Sequence, residues 1–264
     1  MENGKIRAEI GIIGGTGIYD AKIFKNSRHV SVKTPYGNPS DRIKVCEYRG
    51  KAVALLPRHG AGHTIPPHSI NFRANIFALK ELGVKRIIGT AAVGSLKEAY
   101  ERGDVVFPDQ LIDFGREVTT YYDGPEVCHI AFADPFCHEI REKLIETAKA
   151  LGIKFHDKGT YLRISGPRFS TRAESKMFRK FGDVIGMTCI PEAVLSRELG
   201  ICYAVIATVT DYDVWADKPV NAEEVIKTMN ANAEKTERII ENVLDKIPKE
   251  RKCGCKEAPE KGKL

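Results

Sequence analysis

The stretch Ile201-Cys-Tyr-Ala-Val-Ile-Ala-Thr-Val-Thr-Asp-Tyr-Asp213 is the most informative part of the chain. Its apolar, β-branched part predicts a strand that is buried on both faces of a sheet. Two carboxylates, Asp211 and Asp213, follow at the end of this strand. Ligands of open α/β sheets bind beyond the carboxyl ends of the strands, and strand positions two apart point the same way. The stretch therefore predicts a pocket faced by both acids, unless Asp211-Tyr212-Asp213 is a helix N-cap or a solvated turn.

Strand-like and helix-like segments alternate along the rest of the chain. Apolar runs predict strands over residues 8–13, 29–33, 42–48, 52–57, 86–93, 160–164 and 183–188, and turn signals predict an antiparallel meander between 29 and 57. Helical periodicity predicts helices over 69–82, 135–151, 170–180, 192–199 and 222–246. The alternation predicts a single-domain α/β sandwich over residues 1–248, with a mixed sheet flanked by helices, and a basic tail over 249–264.

The composition is that of an ordinary globular protein. The chain has 264 residues, of which 42% are hydrophobic and 29% charged, and no apolar stretch has membrane-spanning length. The N-terminus lacks the apolar core of a secretion signal, so we expect a cytoplasmic protein. The net charge of +6 is spread along the chain, and the basic tail is interrupted by acids and lacks aromatics. We expect a solvated tail, and neither nucleic acid nor membrane as a partner.

The cysteines are numerous for a cytosolic enzyme, and seven are present. Intracellular disulfides are rare outside hyperthermophiles, so the thiols are either buried or part of a thermophile's crosslinks. Two adjacent pairs, Cys128-His129 and Cys137-His138, resemble metal-ligand pairs only superficially, because neighbouring side chains on a strand or helix point apart. We therefore expect no metal site.

Glycine-rich and basic segments follow several strands. Gly14-Gly15-Thr16-Gly17 could bind an anion through backbone N–H groups, although such glycines are often purely conformational. The segment Arg58-His59-Gly-Ala-Gly-His63 places a guanidinium beside imidazoles, which suits a phosphate better than an incidental surface turn. Thr188 adds a hydroxyl donor after another strand. Since no Gly-x-Ser-x-Gly elbow or zinc-helix motif is present, the pattern indicates phosphate as a substrate and a leaving group that needs a proton.

These segments, taken in order, resemble a known family. The motifs Gly-Gly-Thr-Gly, Arg-His-Gly-x-x-His, Gly-Pro-Arg-Phe-Ser-Thr-Arg-Ala-Glu, Gly-Met-Thr-x-x-Pro-Glu and Thr-Asp-Tyr-Asp are similar to those of 5′-methylthioadenosine phosphorylases in the purine nucleoside phosphorylase superfamily. The resemblance extends from about residue 10 to 248 and implies that superfamily's partly barrel-like sheet. The tail sequence Lys-Cys-Gly-Cys resembles thermophilic archaeal members.

The resemblance implies a reaction in which inorganic phosphate attacks the anomeric carbon of the ribose while the purine leaves. Methylthioadenosine would give adenine and 5-methylthioribose 1-phosphate, with phosphate as co-substrate and with neither metal nor cofactor. Asp211 would protonate the purine at N7, and Asp213 would support it by raising its pKa. The phosphate-binding residues implied are Thr16, Arg58, His59, Ala91, Ala92 and Thr188.

The resemblance also implies the residues around the nucleoside. Met187 would lie against the ribose, Phe169 would stack on the base, and Ser170 would bound its far edge. The residues around the base and the 5′ group would also include Tyr212, His63, Val220, Ala222 and, from a neighbouring subunit, His129. A homotrimer or homohexamer would follow, and the tail pair Cys253–Cys255 and the pair Cys137–Cys202 would form disulfides.

Two departures and two alternatives accompany this interpretation. The family often has Thr or Ser at the position of Ala91, and usually has Glu at the position of Ser165.

One alternative function is that of a broad or 6-oxopurine phosphorylase that acts on adenosine, inosine, guanosine or methylthioinosine, although such enzymes tend to have Asn at position 211. The other is a nucleotide-binding regulator without turnover, which would release no adenine from methylthioadenosine.

Overall fold

The computed structural model describes residues 6–15, 18, 22–24, 26–216 and 222–264. Within these residues the chain forms a mixed eleven-stranded sheet. The strands are β1 (Ile10–Gly14), β2 (Arg28–Val30), β3 (Ile43–Tyr48), β4 (Lys51–Pro57), β5 (Arg86–Ser95), β6 (Val105–Val106), β7 (Gln110–Asp113), β8 (Phe155–His156), β9 (Thr160–Arg163), β10 (Val184–Gly186) and β11 (Cys202–Asp211).

Strand β5 is the centre of the sheet because it pairs with three others. Its first half lies parallel to β1, its last two residues pair antiparallel with β10, and β11 runs parallel to it along nearly its whole length. One path through the sheet is β2-β3-β4-β1-β5-β10-β9-β7, and β11, β6 and β8 continue from the other side of β5. The antiparallel meander predicted between residues 29 and 57 is confirmed as β2, β3 and β4.

Helices pack on both faces of this sheet. The α-helices are α1 (Phe72–Glu81), α2 (His138–Ala150), α3 (Arg172–Phe178), α4 (Cys189–Glu198), α5 (Ala222–Val243) and α6 (Ala258–Gly262). Apolar side chains of α1 and α4 share one core with alternate residues of the central strands, and those of α2 and α5 share the other. Every residue of β11 is buried, as the apolar run of that strand predicts. The predicted α/β sandwich with a mixed sheet is confirmed.

The helix ends follow local chemistry. Asn71 accepts a hydrogen bond of 3.0 Å from the backbone N–H of Ala74 at the start of α1, and a capping box between Thr171 and Glu174 begins α3. Gly83, predicted as a C-terminal cap, has a φ of +90°, which a residue with a side chain rarely adopts. None of the described helices combines the length and the apolar composition that a membrane crossing requires.

The tail differs from the solvated end predicted for it. Cys253, Cys255 and Ala258 are buried, and α6 lies within the tail. Arg251 Nη1 donates a hydrogen bond of 2.7 Å to the carbonyl of Gly200, and the Lys252 N–H donates one of 2.6 Å to Glu139 Oε1. The tail packs on the body because its cysteines and alanine provide apolar surface between the charged residues.

Four cysteines converge where the tail meets the body. The sulfurs of Cys137, Cys202, Cys253 and Cys255 all lie within 4.8 Å of one another, and all four residues are buried. The predicted disulfides Cys253–Cys255 and Cys137–Cys202 are not formed, because every cysteine of the structure is a free thiol. Cys202 Sγ is 3.4 Å from Cys253 Sγ, a contact outside both predicted pairs. With four sulfurs in one cluster, no single pairing is imposed by the fold.

Candidate active site

A cavity of about 270 Å³ opens at the carboxyl ends of β1, β4, β5, β10 and β11. The motifs singled out in the sequence meet there, although they come from distant parts of the chain. Its lining includes Gly15, Arg58, His59, His63, Thr90, Ala91, Ala92, Gly94, Phe169, Met187, Thr188, Thr210, Asp211 and Asp213.

Arg58 dominates one end of this cavity. Its side chain is almost completely buried, and Nη1 donates a hydrogen bond of 2.7 Å to the carbonyl of Thr90. The guanidinium also forms an ion pair with Glu192, whose side chain is equally buried. A planar guanidinium held on two sides at the edge of the cavity places a positive charge there in a fixed position, which suits a phosphate.

His59 and His63 stack beside Arg58, with ring centroids 4.2 Å apart. Burial, reinforced by the charge of Arg58, lowers the pKa of His59 to about 4, and burial also lowers the pKa of His63. His59 Nδ1 lies 2.8 Å from the carbonyl of Ile65, which can only accept a hydrogen bond. The neutral ring therefore carries its hydrogen on Nδ1, and Nε2 is its acceptor nitrogen.

Thr188 and Thr90 supply hydroxyls to the same end. Thr188 is the N-cap residue of α4, yet its side chain makes no capping hydrogen bond within the described residues. Thr90 Oγ1 accepts a hydrogen bond of 3.2 Å from the Gly15 N–H. The N-terminus of α4 and the backbone of β5 around Ala91 and Ala92 line the cavity beside them. This end therefore combines a cation, hydroxyls and a helix N-terminus, which together favour an anion.

Asp211 dominates the other end. Its Oδ2 lies 2.8 Å from Thr210 Oγ1, and its Oδ1 accepts a hydrogen bond of 2.8 Å from the Asp213 N–H. Burial is the largest cause that raises the pKa of Asp211, and the charge of Asp213 adds less. The sequence argument named Asp213 as the cause, so the structure changes the order of the two effects. A carboxyl group with a raised pKa can act as an acid near neutral pH.

Asp213 faces the same cavity by a different route from the one predicted. The strand ends at Asp211, and Asp213 follows in a turn with a φ of +48°, so strand alternation does not orient it. The hydrogen bond from the Asp213 N–H to Asp211 forms a turn, but both acids are buried, so this is not the solvated turn that was the alternative interpretation of the sequence. Asp213 is 4% exposed, and no described residue pairs with its Oδ2. A buried carboxylate oxygen of this kind needs a hydrogen-bond donor, which a water molecule or a ligand in the cavity can supply.

Met187 and Phe169 provide apolar surface between these ends. Met187 is half-buried, and a Cβ added at Gly166 would lie 2.5 Å from its sulfur, so the glycine makes room for it. Phe169 is 38% exposed and lines the cavity just before the capping box of α3. A half-exposed aromatic at a cavity mouth suits a planar ligand.

Other predicted residues lie elsewhere. Tyr212 contacts Trp215 edge to face, with centroids 5.5 Å apart, and is not among the described lining residues. Ser170 is buried but does not line the cavity, and Ala222 is exposed at the start of α5. His129 is exposed, and its backbone N–H donates a hydrogen bond of 2.7 Å to the carbonyl of Gly262 in the tail. Thr16 and Val220 lie outside the described residues.

Helix α5 contributes residues that the sequence argument missed. Val225, Met229, Asn232 and Thr236 line the cavity, at spacings that place them on one face of the helix. Val225 and Met229 are among the apolar residues whose helical spacing predicts the helix over 222–246. That periodicity does not distinguish a helix face that covers a core from one that covers a cavity.

Ser165 and the four-cysteine cluster are not among the described residues that line the cavity. Ser165 Oγ donates a hydrogen bond of 3.2 Å to Glu117 Oε2, which also pairs with Arg163. The cysteine cluster could hold a metal ion. It was missed in the sequence because its members are far apart along the chain, whereas only adjacent pairs were weighed.

The architecture and the cavity together are those of a nucleoside-cleaving phosphorylase, and the chain belongs to the phosphorylase superfamily, whose sequence profile matches residues 9–245. Within that superfamily it is 57% identical to the S-methyl-5′-thioadenosine phosphorylase of Pyrococcus abyssi, over 94% of this chain and 96% of that one.

Solved structures agree with this assignment. A methylthioadenosine phosphorylase from an antarctic soil metagenomic library superposes with a TM-score of 0.93 at 42% identity, covering 98% of this chain and 93% of the other. A mutant of the adenosine/methylthioadenosine phosphorylase from Schistosoma mansoni, in complex with methylthioadenosine, has a TM-score of 0.89 at 37% identity and covers 97% and 96% of the two chains.

Proposed function

We propose that the chain catalyses phosphate-dependent cleavage of 5′-methylthioadenosine to adenine and 5-methylthioribose 1-phosphate. The proposal rests mainly on one observation. A single cavity contains the cation of Arg58 at one end and Asp211, an acid with a raised pKa, at the other. Phosphate and purine would occupy opposite ends, so that the ribose lies between nucleophile and leaving group. The names of the relatives support the choice of substrate.

The phosphate end works by positioning and charge. Arg58, His59, Thr188 and the backbone N–H of Ala92 would hold phosphate beneath the anomeric carbon, together with Thr16, which lies outside the described residues. As the glycosidic bond lengthens, positive charge develops on the ribose, and a phosphate anion held beneath it stabilises that charge. Thr90 lies at the same end, and its hydroxyl could donate to phosphate in place of the hydroxyl that the family often has at the position of Ala91.

The base end supplies a proton. Protonated Asp211 would donate to purine N7 and lie against the exocyclic amino group of adenine, and Asp213 Oδ2 would be a second acceptor for that amino group. Adenine leaves as a neutral molecule only if N7 is protonated, so the acid lowers the barrier at the leaving-group side. Phe169 would cover one face of the base, with Ser170 behind it.

The 5′ substituent would lie against the apolar face of α5. Val225 and Met229 line the cavity, whereas a hydroxyl group there would need a polar partner. His63, Val220 and Ala222 would complete this region, with His129 supplied by a neighbouring subunit of a homotrimer or homohexamer. The exposed position of His129 in the single chain supports such a contribution.

The test is phosphorolysis by the purified protein. Release of the purine base is measured with and without phosphate, as adenine from methylthioadenosine and adenosine and as hypoxanthine from inosine and methylthioinosine. We expect methylthioadenosine to have the highest kcat/KM and no turnover without phosphate. Preference for inosine would favour a 6-oxopurine phosphorylase, and binding without turnover would favour a regulator.

A further inference from the structure

The four-cysteine cluster combines residues from three separately anchored segments. Cys137 precedes α2, Cys202 begins β11, and Cys253 and Cys255 belong to the tail. The Cys137 N–H donates a hydrogen bond of 2.8 Å to the carbonyl of Tyr203, which joins the first two segments. The Lys252 bond to Glu139 positions the third.

The arrangement of the sulfurs matches a tetrahedral thiolate site. In a tetrahedron with metal–sulfur bonds of about 2.3 Å, the sulfurs are separated by about 3.8 Å. The four sulfurs of the cluster all lie within 4.8 Å of one another, with Cys202 and Cys253 3.4 Å apart. Two disulfides would instead need two separate contacts of about 2.0 Å.

Basic residues and a helix N-terminus adjoin the cysteines of the cluster along the chain. Four thiolates around a divalent cation carry a net charge of −2. Arg251, Lys252 and Lys256 flank the tail cysteines along the chain, and Cys137 stands at the N-terminus of α2 without a side-chain capping bond. Cations and a helix N-terminus both stabilise thiolates.

We propose that Cys137, Cys202, Cys253 and Cys255 bind one tetrahedral divalent metal ion, with zinc as the ion whose preferred ligands and geometry match. Binding forms four metal–sulfur bonds and releases the four thiol protons to solvent, with no oxidation or reduction. The site would be structural, because all four positions of the metal are taken by protein. It would clamp the tail against the first residues of α2 and β11.

Metal content tests this proposal on the full-length protein. After dialysis against metal-free buffer, we expect about one zinc ion per chain by mass spectrometry of the dissolved metal. Replacement by Co²⁺ should give the charge-transfer and visible bands of tetrahedral cobalt thiolate. The double variant Cys253→Ser/Cys255→Ser should lose the metal, whereas Cys46→Ser/Cys128→Ser, outside the cluster, should retain it.

Thiol titration separates the remaining outcomes even if the cluster variants fail to fold. Denatured, unreduced protein with chelator should show all seven thiols. If only Cys46, Cys128 and Cys189 react before reduction, the cluster holds disulfides and the proposal is overturned. Seven thiols without retained zinc or a cobalt spectrum would also overturn it.

A second inference concerns Arg58 and rests on the proposed function. Glu192 forms a two-point contact with the guanidinium, in which Nε donates to Oε1 and Nη2 donates to Oε2. Tyr203 Oη donates a hydrogen bond of 2.7 Å to the same Oε2. A Cβ at Gly89 would lie 2.3 Å from that hydroxyl, so the glycine on β5 leaves the space that the hydroxyl occupies.

We infer that Glu192 and Tyr203 are positioning residues for phosphate, which act through Arg58. Neither lines the cavity among the described residues, so neither would touch substrate. Tyr203→Phe should raise the KM for phosphate several-fold and leave the KM for methylthioadenosine nearly unchanged. Glu192→Gln should raise the KM for phosphate further. In an Arg58→Lys background, both changes should have smaller effects, because they act through the same group.

The melting temperature of each variant separates positioning from general stability. A lower melting temperature with an unchanged KM for phosphate would overturn the positioning role while phosphorolysis itself persists. Absence of phosphorolysis in the unaltered protein would instead overturn the proposed function. Tyr203→Phe keeps the ring packing, so it remains informative if Glu192→Gln fails to fold.

Discussion

The backbone N–H of Asp213 donates a hydrogen bond of 2.8 Å to Oδ1 of Asp211, and this bond fixes one oxygen of the candidate acid. The other oxygen lies 2.8 Å from Thr210 Oγ1, which is also 3.2 Å from the carbonyl of Val93. A hydroxyl has one hydrogen, so if Thr210 donates it to the Val93 carbonyl, the Thr210 oxygen can accept a hydrogen bond from a protonated Oδ2 of Asp211. The surroundings of Asp211 are therefore compatible with the protonated state that its raised pKa favours.

Substitution Asp211→Asn tests the acid role. An amide can hydrogen-bond to the purine but cannot protonate N7, so phosphorolysis of methylthioadenosine should fall by ~10²-fold or more. The same amide can donate to the 6-oxo group of inosine, so inosine should lose less than adenosine. Steady-state kinetics with both nucleosides measure the ratio. An equal loss for both would mean that Asp211 is structural.

The dependence of activity on pH should report the ionisation of Asp211. Its raised pKa means that the acid form persists to higher pH than in an ordinary aspartate. As pH rises through that pKa, the proton is lost and kcat/KM for methylthioadenosine should fall. The Asp211→Asn enzyme should lack this decline, and a decline of equal size in both enzymes would assign it to another group.

Gly94 provides a test that leaves Asp211 itself unchanged. A Cβ at position 94 would lie 2.8 Å from Asp211 Oδ1 and 3.3 Å from the Asp213 backbone nitrogen. Gly94→Ala should displace the carboxyl and lower kcat, on the order of 10²-fold for a displacement near 1 Å. Gly254→Ala is the matched control, since no atom lies within 4 Å of a Cβ there. Full activity of the Gly94 variant would argue against a precisely held acid.

Phosphate binding should be accompanied by proton uptake at His59. His59 lines the cavity, and its Nδ1 lies 2.8 Å from the Ile65 carbonyl; because the pKa of about 4 keeps the imidazole neutral before phosphate binds, Nε2 is an acceptor. A phosphate dianion is also an acceptor, so the complex needs one additional proton between them. Calorimetric titration with phosphate at alkaline pH, in buffers of different ionisation enthalpy, should show uptake of about one proton.

The control for this measurement is the substitution of the ring. His59→Gln should bind phosphate more weakly and take up no proton. Proton uptake that is unchanged in His59→Gln would locate the proton elsewhere.

Met229 tests the proposed pocket for the 5′ group. A polar amide at this position would remain unpaired against a methylthio group, so Met229→Gln should lower kcat/KM for methylthioadenosine about 10-fold relative to adenosine. Met177→Gln on α3, whose side chain is 41% exposed, serves as control and should leave the ratio unchanged. The ratio of the two substrates is independent of the amount of active enzyme, so partial unfolding does not alter it.

The long elements were predictable because their signals are local and strong. Strand β11 and helix α5 follow directly from an apolar run and a helical period. The short strands β6 and β8, of two residues each, have no such signal, because they exist only through pairing with β11 and with each other. Helix α4 begins at Cys189, whereas the sequence predicted its start at residue 192, after Pro191. The earlier start is possible because a proline is tolerated in the first turn of a helix.

The candidate site was predictable where residues follow a strand directly. Arg58, His59, Thr188 and Asp211 all follow or end strands, so their meeting at one edge could be inferred. Asn232 and Thr236 could not be inferred, because their approach to the cavity depends on how α5 packs against β11. The cysteine cluster depends likewise on where the tail returns to the body, and no local pattern encodes that.

Strand β5 contributes to both ends of the cavity. Thr90 contacts Arg58 and Gly15 at the anion end, and Gly94 contacts Asp211 at the acid end. Four residues of extended chain span about 13 Å. The distance between the two ends of the cavity is therefore set by the length of one covalently continuous segment, which thermal motion cannot stretch. Under the proposed function, a substrate too short or too long for that interval would leave one end unengaged, so we expect the backbone itself to select for the size of a nucleoside.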